Sequence, residues 1–373
     1  MRVFSFANSN QAYPFLLIKI VKKGIKVTPR GLSTLEYPDH VTTEILSPRQ
    51  RVLTTIGRGG NIFWQVAEVL GILSGHKPRA YIEYYNSRLA SYSDTPNDNS
   101  YHGWYGERIF SWGSYKGKPI HKNTKSINQL ELVYQRLRKD PDSRRTNISI
   151  WNPELDLAPG HNDYPCNSLM MFLLREGKLN LTQVIRSNDL HLGLFGINVF
   201  EFSLIQEILA GWLGADLGKT DFVSNSLHIY TDSQTQKMTD SILSHRKRFD
   251  IYKYVKPLDA RLPKAKFEKV LKIIMDDEES MRRGLLLPPS DFKLLNSQPY
   301  WLSLWKTLRV WTLRKLNQEE NALQLALSIE APDLRVAVLE YMYRNTKNSM
   351  LYAAIQKMSL PEPVIDYIFG RLR

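Results

Sequence analysis

The chain has 373 residues, 43% apolar and 23% charged, the balance of an ordinary globular protein rather than a disordered or fibrous one. A net charge of +13 and a pI near 9.5 point to an anionic partner. The basic residues are spread along the chain with no dense arm, which favours small anionic ligands over duplex nucleic acid. One cysteine excludes an internal disulfide and fits a reducing cytoplasm. No apolar run reads as a membrane span, and the patch from Tyr13 to Ile20 is too short for a signal peptide.

In chain order, residues 11–23 carry apolar positions at helical spacing and stop at Lys22-Lys23-Gly24, which predicts a first helix. Val27-Thr28-Pro29-Arg30-Gly31 opens a loop, and Thr34-Leu35-Glu36 begins a strand. From Asn61 to Leu73, the residues Ile62, Phe63, Val66, Val69, Leu70 and Leu73 mark a buried helix that carries Glu68. A carboxylate on such a helix is costly unless it is paired or protonated, although the periodicity also allows an exposed flank position. Residues 91–104 form a polar loop. A helix over 128–137 ends at Asp140-Pro141, a strand follows over 146–151, and strands over 169–174 and 179–185 make a hairpin around Gly177. The helix expected over 201–213 turns Phe202, Ile205, Leu209 and Trp212 to the core. Further on, 264–275 reads as helix, 286–289 as a break, and 301–316, 319–328, 332–343 and 361–372 as short helices.

The chemistry centres on Cys166, in Tyr164-Pro165-Cys166-Asn167. One hairpin later come Arg186, Ser187, Asn188 and Asp189, then a Leu-Gly turn that ends at Asn198. A thiol attacks as the thiolate, and a fixed cation nearby favours that form, so these are parts for a nucleophile beside an anionic substrate. Taken alone, a single cysteine is more often a small buried hydrophobe.

Together these motifs resemble the thymidylate synthase superfamily. The Pro-Cys pair, Arg-Ser-x-Asp about twenty residues later, the Leu-Gly turn and an asparagine leading into a helix occur in the family's order. Asp140-Pro141-Asp142-Ser143-Arg144-Arg145, followed by Trp151-Asn152, looks like the family's double-arginine motif. Glu68, heading Glu-Val-Leu-Gly-Ile-Leu-Ser-Gly, stands at the place of its catalytic glutamate, and His228-Ile229-Tyr230 looks like its sugar-binding His-x-Tyr. The likeness covers roughly residues 12–235.

The resemblance implies an α+β fold, a mixed β-sheet covered by helices, with a catalytic domain over 1–260 and a mainly helical C-terminal extension over 261–373. It implies one-carbon transfer to carbon 5 of a pyrimidine nucleoside monophosphate, with 5,10-methylenetetrahydrofolate as co-substrate and no metal. Cys166 would be the nucleophile, Glu68 would order water and shuttle protons, Tyr105 would help remove the carbon 5 proton, and Asp189 would complete the catalytic set. Arg30, Arg186 and Ser187 would bind the nucleotide, Asn198 would read the base, and His228 and Tyr230 would contact the sugar. A homodimer is expected, with Arg144 and Arg145 reaching the partner's phosphate. Arg186 is also expected to lower the pKa of the thiol.

Three departures set the sequence apart from the synthases. Ser91 and Tyr92 replace a Trp-Asp pair, Asn167 follows the nucleophile where the synthases have His, and no closing tail is seen. All three bear on how dry the site is, and they favour water over hydride as the last reactant, giving a deoxyuridylate (dUMP) hydroxymethylase. Thymidylate synthesis and hydroxymethylation of dCMP or CMP remain open, as does an inert nucleotide-binding relative. Intact Cys166, Glu68, Tyr105 and Arg186 argue against the last. An amide at Asn198 suits uracil, whereas cytosine-specific relatives use a carboxylate. One residue is inserted between Gly193 and Asn198 relative to the synthases. A direct nucleic-acid-binding role would need a concentrated basic patch that the sequence lacks.

Overall fold

The computed structural model describes residues 1–372 apart from His76, Pro96, Thr124, Arg246 and Lys247. Its strands are β1 (Arg2–Phe6), β2 (Ile25–Val27), β3 (Thr34–Glu36), β4 (Val41–Ile45), β5 (Ser114–Tyr115), β6 (Lys118–Pro119), β7 (Asn147–Ser149), β8 (Asn167–Arg175), β9 (Lys178–Ile185), β10 (Asn188–Asp189), β11 (Asp216–Ser224) and β12 (Leu227–Tyr230). A six-stranded mixed sheet runs β1-β4-β11-β9-β8-β7, and a four-stranded sheet runs β10-β12-β3-β2. The fold is therefore α+β, as the resemblance implies.

The expected hairpin is β8–β9, antiparallel, turning through Glu176 and Gly177, both at positive φ. Its register slips between Asn167 and Leu169, immediately after Cys166. A bulge of this kind re-aims side chains at the end of a strand. The carbonyl of Ser168 accepts the amides of both Ile150 and Trp151, at 3.0 and 3.2 Å. That diversion ends β7 at Ser149, so the strand expected over 146–151 is shorter.

The helix Val199–Leu213 runs through the core, with every residue from Val199 to Ala210 buried. A helix apolar nearly all round has no solvent face to offer, which is why one-sided spacing understated it. With the turns before it, the stretch Leu190–Leu213 is long and apolar enough to cross a membrane by composition, yet 89% of its apolar window is buried inside the molecule. Sequence reading found no such run, because His191, Asn198, Glu201, Gln206 and Glu207 interrupt it. The helix Ile62–Leu73 is buried alongside, its first turn capped by Asn61, whose side chain accepts from Trp64 N.

The C-terminal helices share this core rather than forming a separate one. Trp311 of helix Pro299–Lys315 packs on Phe63 with ring centroids 5.2 Å apart, and Tyr341 of helix Pro332–Thr346 meets Phe63 edge-on at 5.1 Å. Trp301 Nε1 donates to Ala260 O at 2.9 Å, and Tyr252 OH donates to Asp333 Oδ2 at 3.0 Å. Residues beyond 298 thus brace the helix that carries Glu68. The helix expected over 264–275 extends to Arg282.

A buried ion pair ties these parts together. Arg51 (3% exposed) bridges to Glu207 (0% exposed) and donates to Tyr300 OH at 3.1 Å. Glu207 also accepts from Arg49 at 2.5 Å and from Ala260 N at 3.1 Å. Removing one member of such a pair strands the other charge in the interior. Glu207→Ala is expected to lower the unfolding free energy by about 3–5 kcal/mol. Asp39→Ala, at the exposed pair with Arg2, should cost less than about 1 kcal/mol. Urea titrations of both variants measure the contrast, and equal small losses would contradict it.

Candidate active site

Cys166 sits at the head of β8, next to the bulge, partly covered and packed against the core. Arg186 follows β9 and is bound to the backbone that presents the thiol. Its Nε donates to Pro165 O at 2.8 Å, its Nη2 to Tyr164 O at 3.2 Å, and its amide to Cys166 O at 3.0 Å. Its guanidinium lies 5.3 Å from the centroid of the Trp151 ring. Burial pushes the Cys166 thiol up; the charge of Arg186 opposes that rise most strongly, and Arg30 adds to the opposition. Arg186 thus lowers the thiol pKa as expected, but desolvation outweighs it and the net direction is upward.

Behind the thiol runs a chain of side-chain amides. Gln183 Nε2 donates to Asn167 Oδ1 at 3.0 Å. Asn167 Nδ2 donates to Asn198 Oδ1 at 3.2 Å and to the Tyr105 hydroxyl at 2.9 Å. Asn198 Nδ2 reaches Asn188 Oδ1 at 3.4 Å, and Asn188 Nδ2 donates to Ser224 Oγ at 2.9 Å. An amide oxygen has two lone pairs and its nitrogen two hydrogens, so Asn198 keeps one acceptor site and one N–H to offer. Turning Asn198 over would set N–H against N–H at Asn167 and lone pair against lone pair at Asn188.

A π-helical stretch, Leu190–Asn198, runs straight into the core helix over the segment where the resemblance reads an inserted residue. Such wide turns recur at functional sites. Side chains satisfy its backbone: Gln65 Nε2 donates to Gly196 O at 2.6 Å and Arg58 Nη2 to His191 O at 2.9 Å. A Cβ on Gly196 would stand 2.6 Å from His191 O, so the wide turn requires glycine there. Asp189 caps its start, accepting Leu192 N through Oδ2 at 2.5 Å, and burial pushes this carboxyl up.

Glu68 lies on the inner side of its helix, and burial raises its pKa, with the Glu201 and Trp64 side chains opposing the rise. Glu201, on the core helix, is wholly buried, and its pKa is pushed well up by desolvation and then by Glu68. Tyr105 is pushed up by burial as well, with the charges of Cys166 and Glu201 next in weight. Its hydroxyl thus stays neutral and accepts from Asn167 near the thiol.

The four-stranded sheet supplies another wall. Asp189 pairs with His228 across β10–β12, and Tyr230 pairs with Thr34 across β12–β3. His228 Nδ1 lies 3.1 Å from Ser226 Oγ, which also bonds Glu36. Arg30 stands at φ 54 in the turn Pro29–Gly31 between β2 and β3, exposed, with its charge felt by Cys166, Tyr92 and Tyr230. A non-glycine residue held in that backbone region is commonly tied to function. Ser187 is half-buried, one residue beyond Arg186. Arg144 and Arg145 are exposed, and no side-chain partner for either occurs among the described residues.

Sequence reading missed Gln183, Asn188 and Glu201. Glu201 carried one signal, an acid three residues after Asn198 in an otherwise apolar run, and the sequence reading gave it no role. Asn167 was read as a departure rather than as the amide that couples Tyr105 to Asn198.

The thymidylate synthase family model matches residues 11–276. The chain belongs to the thymidylate synthase family. It is similar to a protein of Bacillus phage SP01 named deoxyuridylate hydroxymethyltransferase, 37% identical over 243 residues, which cover 65% of this chain and 62% of that one. A protein of the same name from Pseudomonas phage M6 is 31% identical over 233 residues, 62% of either chain. Another of that name, from Delftia phage PhiW-14, is 33% identical over 208 residues, 53% of this chain and 54% of the relative. The matched region thus spans less than two thirds of these relatives' lengths.

The raised thiol pKa gives a direct expectation. The pH midpoint for alkylation of Cys166 by iodoacetamide should lie above that of free cysteine, the rate rising about tenfold per pH unit below it. Arg186→Gln removes the main charge favouring the thiolate and should move the midpoint higher still. A midpoint that stays put or falls in Arg186→Gln, followed by mass spectrometry, would contradict the assignment.

Proposed function

We propose that the chain converts dUMP to 5-hydroxymethyl-dUMP, with 5,10-methylenetetrahydrofolate as co-substrate, in a homodimer with shared sites. The observation that carries this reading is the amide chain from Gln183 through Asn167 to Asn198 beside Cys166. It leaves Asn198 a free N–H for oxygen 4 of uracil and a free lone pair for the N3 proton, the opposite of what cytosine needs. The three phage relatives named deoxyuridylate hydroxymethyltransferase support the same base and the same outcome.

Cys166, as thiolate, adds to carbon 6 of the ring and makes carbon 5 nucleophilic. Arg186 favours the thiolate, and Arg30 offers a guanidinium suited to phosphate. The family's folate supplies the one-carbon unit at carbon 5. Tyr92, 48% exposed and electrostatically coupled to Cys166, Asp189 and Arg30, would give the pterin a ring face where the synthases use tryptophan. Tyr105 and Glu68 then handle protons, as polar groups around a site from which hydride transfer need not exclude water.

Arg144 and Arg145, exposed and without a side-chain partner among the described residues, support the shared-site dimer. The direct test of the activity is mass analysis of the product from dUMP with methylenetetrahydrofolate. A hydroxymethyl product supports the reading, and thymidylate overturns it. Cys166→Ala should abolish either product while leaving nucleotide binding nearly intact.

Asn198→Asp should shift the ratio of dUMP to dCMP turnover toward dCMP by at least about tenfold, roughly 1.4 kcal/mol in relative barrier. A carboxylate repels oxygen 4 of uracil and accepts from the cytosine amine. Steady-state rates on both nucleotides decide it, and an unchanged ratio would remove Asn198 from base reading. For the dimer, mixing Cys166→Ala subunits with Arg145→Ala subunits under exchange should restore activity above both parents. Continued inactivity would reject shared sites.

A further inference from the structure

Glu68 and Glu201 lie on packed core helices, Ile62–Leu73 and Val199–Leu213, near enough for each carboxyl to shift the other's ionisation. Among the described residues neither oxygen of Glu201 finds another partner, and Oε2 of Glu68 is buried without one. Glu201 is 0% exposed. The groups facing the pair are the Trp64 indole, Tyr81, Tyr105 and Asp163, whose negative charge pushes the pKa of Glu68 further up. No basic side chain among the described residues forms an ion pair with either glutamate. Two ionised carboxylates in contact, without water or a cation, are strongly disfavoured. One proton must stay between them, and the member without a route to the cleft is Glu201.

We propose that Glu201 is a positioning residue for the water-adding step: it stays protonated, donates its O–H to Glu68, and so holds Glu68 as the carboxylate that takes the proton from water. This rests on the hydroxymethylase reading. In that step the water oxygen bonds to the exocyclic methylene carbon while one water proton passes to Glu68. The displaced π electrons form the carbon 4 enolate, and its collapse restores the ring double bond and expels the Cys166 thiolate from carbon 6. No oxidant or reductant is consumed. Hydride delivery leaves no water proton to place at this point, whereas addition of water does, and a proton-bearing partner for Glu68 suits that branch.

The sign of the pH effect follows from the hydrogen bond. A donor aimed at Glu68 favours its ionised form, so removing that donor raises the pKa of Glu68. Glu201→Leu, similar in size but without a donor, should move the acid limb of kcat for hydroxymethyl formation upward by a pH unit or more. At neutral pH kcat should then fall about tenfold, with KM for dUMP little changed. Glu201→Gln restores a donor and should return the limb toward wild type. An unmoved limb in a folded Glu201→Leu protein, or no difference between the Leu and Gln variants, overturns the proposal. The second measurement needs no turnover. The infrared difference between wild type and Glu201→Gln at neutral pH should show the C=O stretch of a buried protonated carboxyl lost in the variant. Its absence overturns the proposal even if Glu201→Leu fails to fold. Because the infrared band is independent of product, it separates failure of the carboxyl pair from failure of the hydroxymethylase reading, which the product's mass reports.

Discussion

Desolvation governs the centre of this molecule. A thiol, three carboxyl groups at Glu68, Glu201 and Asp189, and the phenol of Tyr105 all lie where burial pushes their pKa values up. Each is shifted because packed segments, and not bulk water, make up most of its surroundings. The walls are the helices Ile62–Leu73 and Val199–Leu213, and the C-terminal helices close over the first through Trp311 and Tyr341 on Phe63. The pair of Arg51 with Glu207 joins that outer layer to the core helix. The C-terminal helices thus act on the site by bracing the helix that carries Glu68.

Against this acidic background the cations are few and committed. Arg186 gives two donors to the carbonyls of Tyr164 and Pro165, orienting the segment that presents Cys166 while its charge offsets part of the thiol's desolvation. Polarity within the site is otherwise carried by neutral amides, which hold direction without adding charge. Gln183, Asn167, Asn198 and Asn188 set one another's orientation, so the face offered to a base is a property of the chain of amides and not of Asn198 alone. The π-helical turn makes this possible, because it delivers Asn198 to the end of the amide chain.

Much of this was legible in the sequence. The β8–β9 hairpin, the buried helix with Glu68 and the order of Cys166, Arg186, Asp189, Asn198, His228 and Tyr230 follow from local spacing and turn chemistry, which act between near neighbours. The family likeness and the α+β class follow from the same motifs. What stayed hidden depends on distant partners. The strands β4 and β11 carry mixed, polar sequences and become strands by pairing with each other and with β1 and β9. The C-terminal helices could be located in the sequence but not the surface they cover.

The sequence by itself determined which groups are present and in what order: one thiol, its arginine, the amide that follows the wide turn, and a glutamate on an apolar helix. Only the tertiary structure decided their state. It set desolvation above Arg186 at the thiol, turned Glu201 inward against Glu68, aligned the amides, and left Arg144 and Arg145 facing outward. The reason is physical. Composition and spacing specify bonds and propensities along the chain, whereas protonation and hydrogen-bond polarity depend on dielectric surroundings, and those exist only once remote segments have packed around the group.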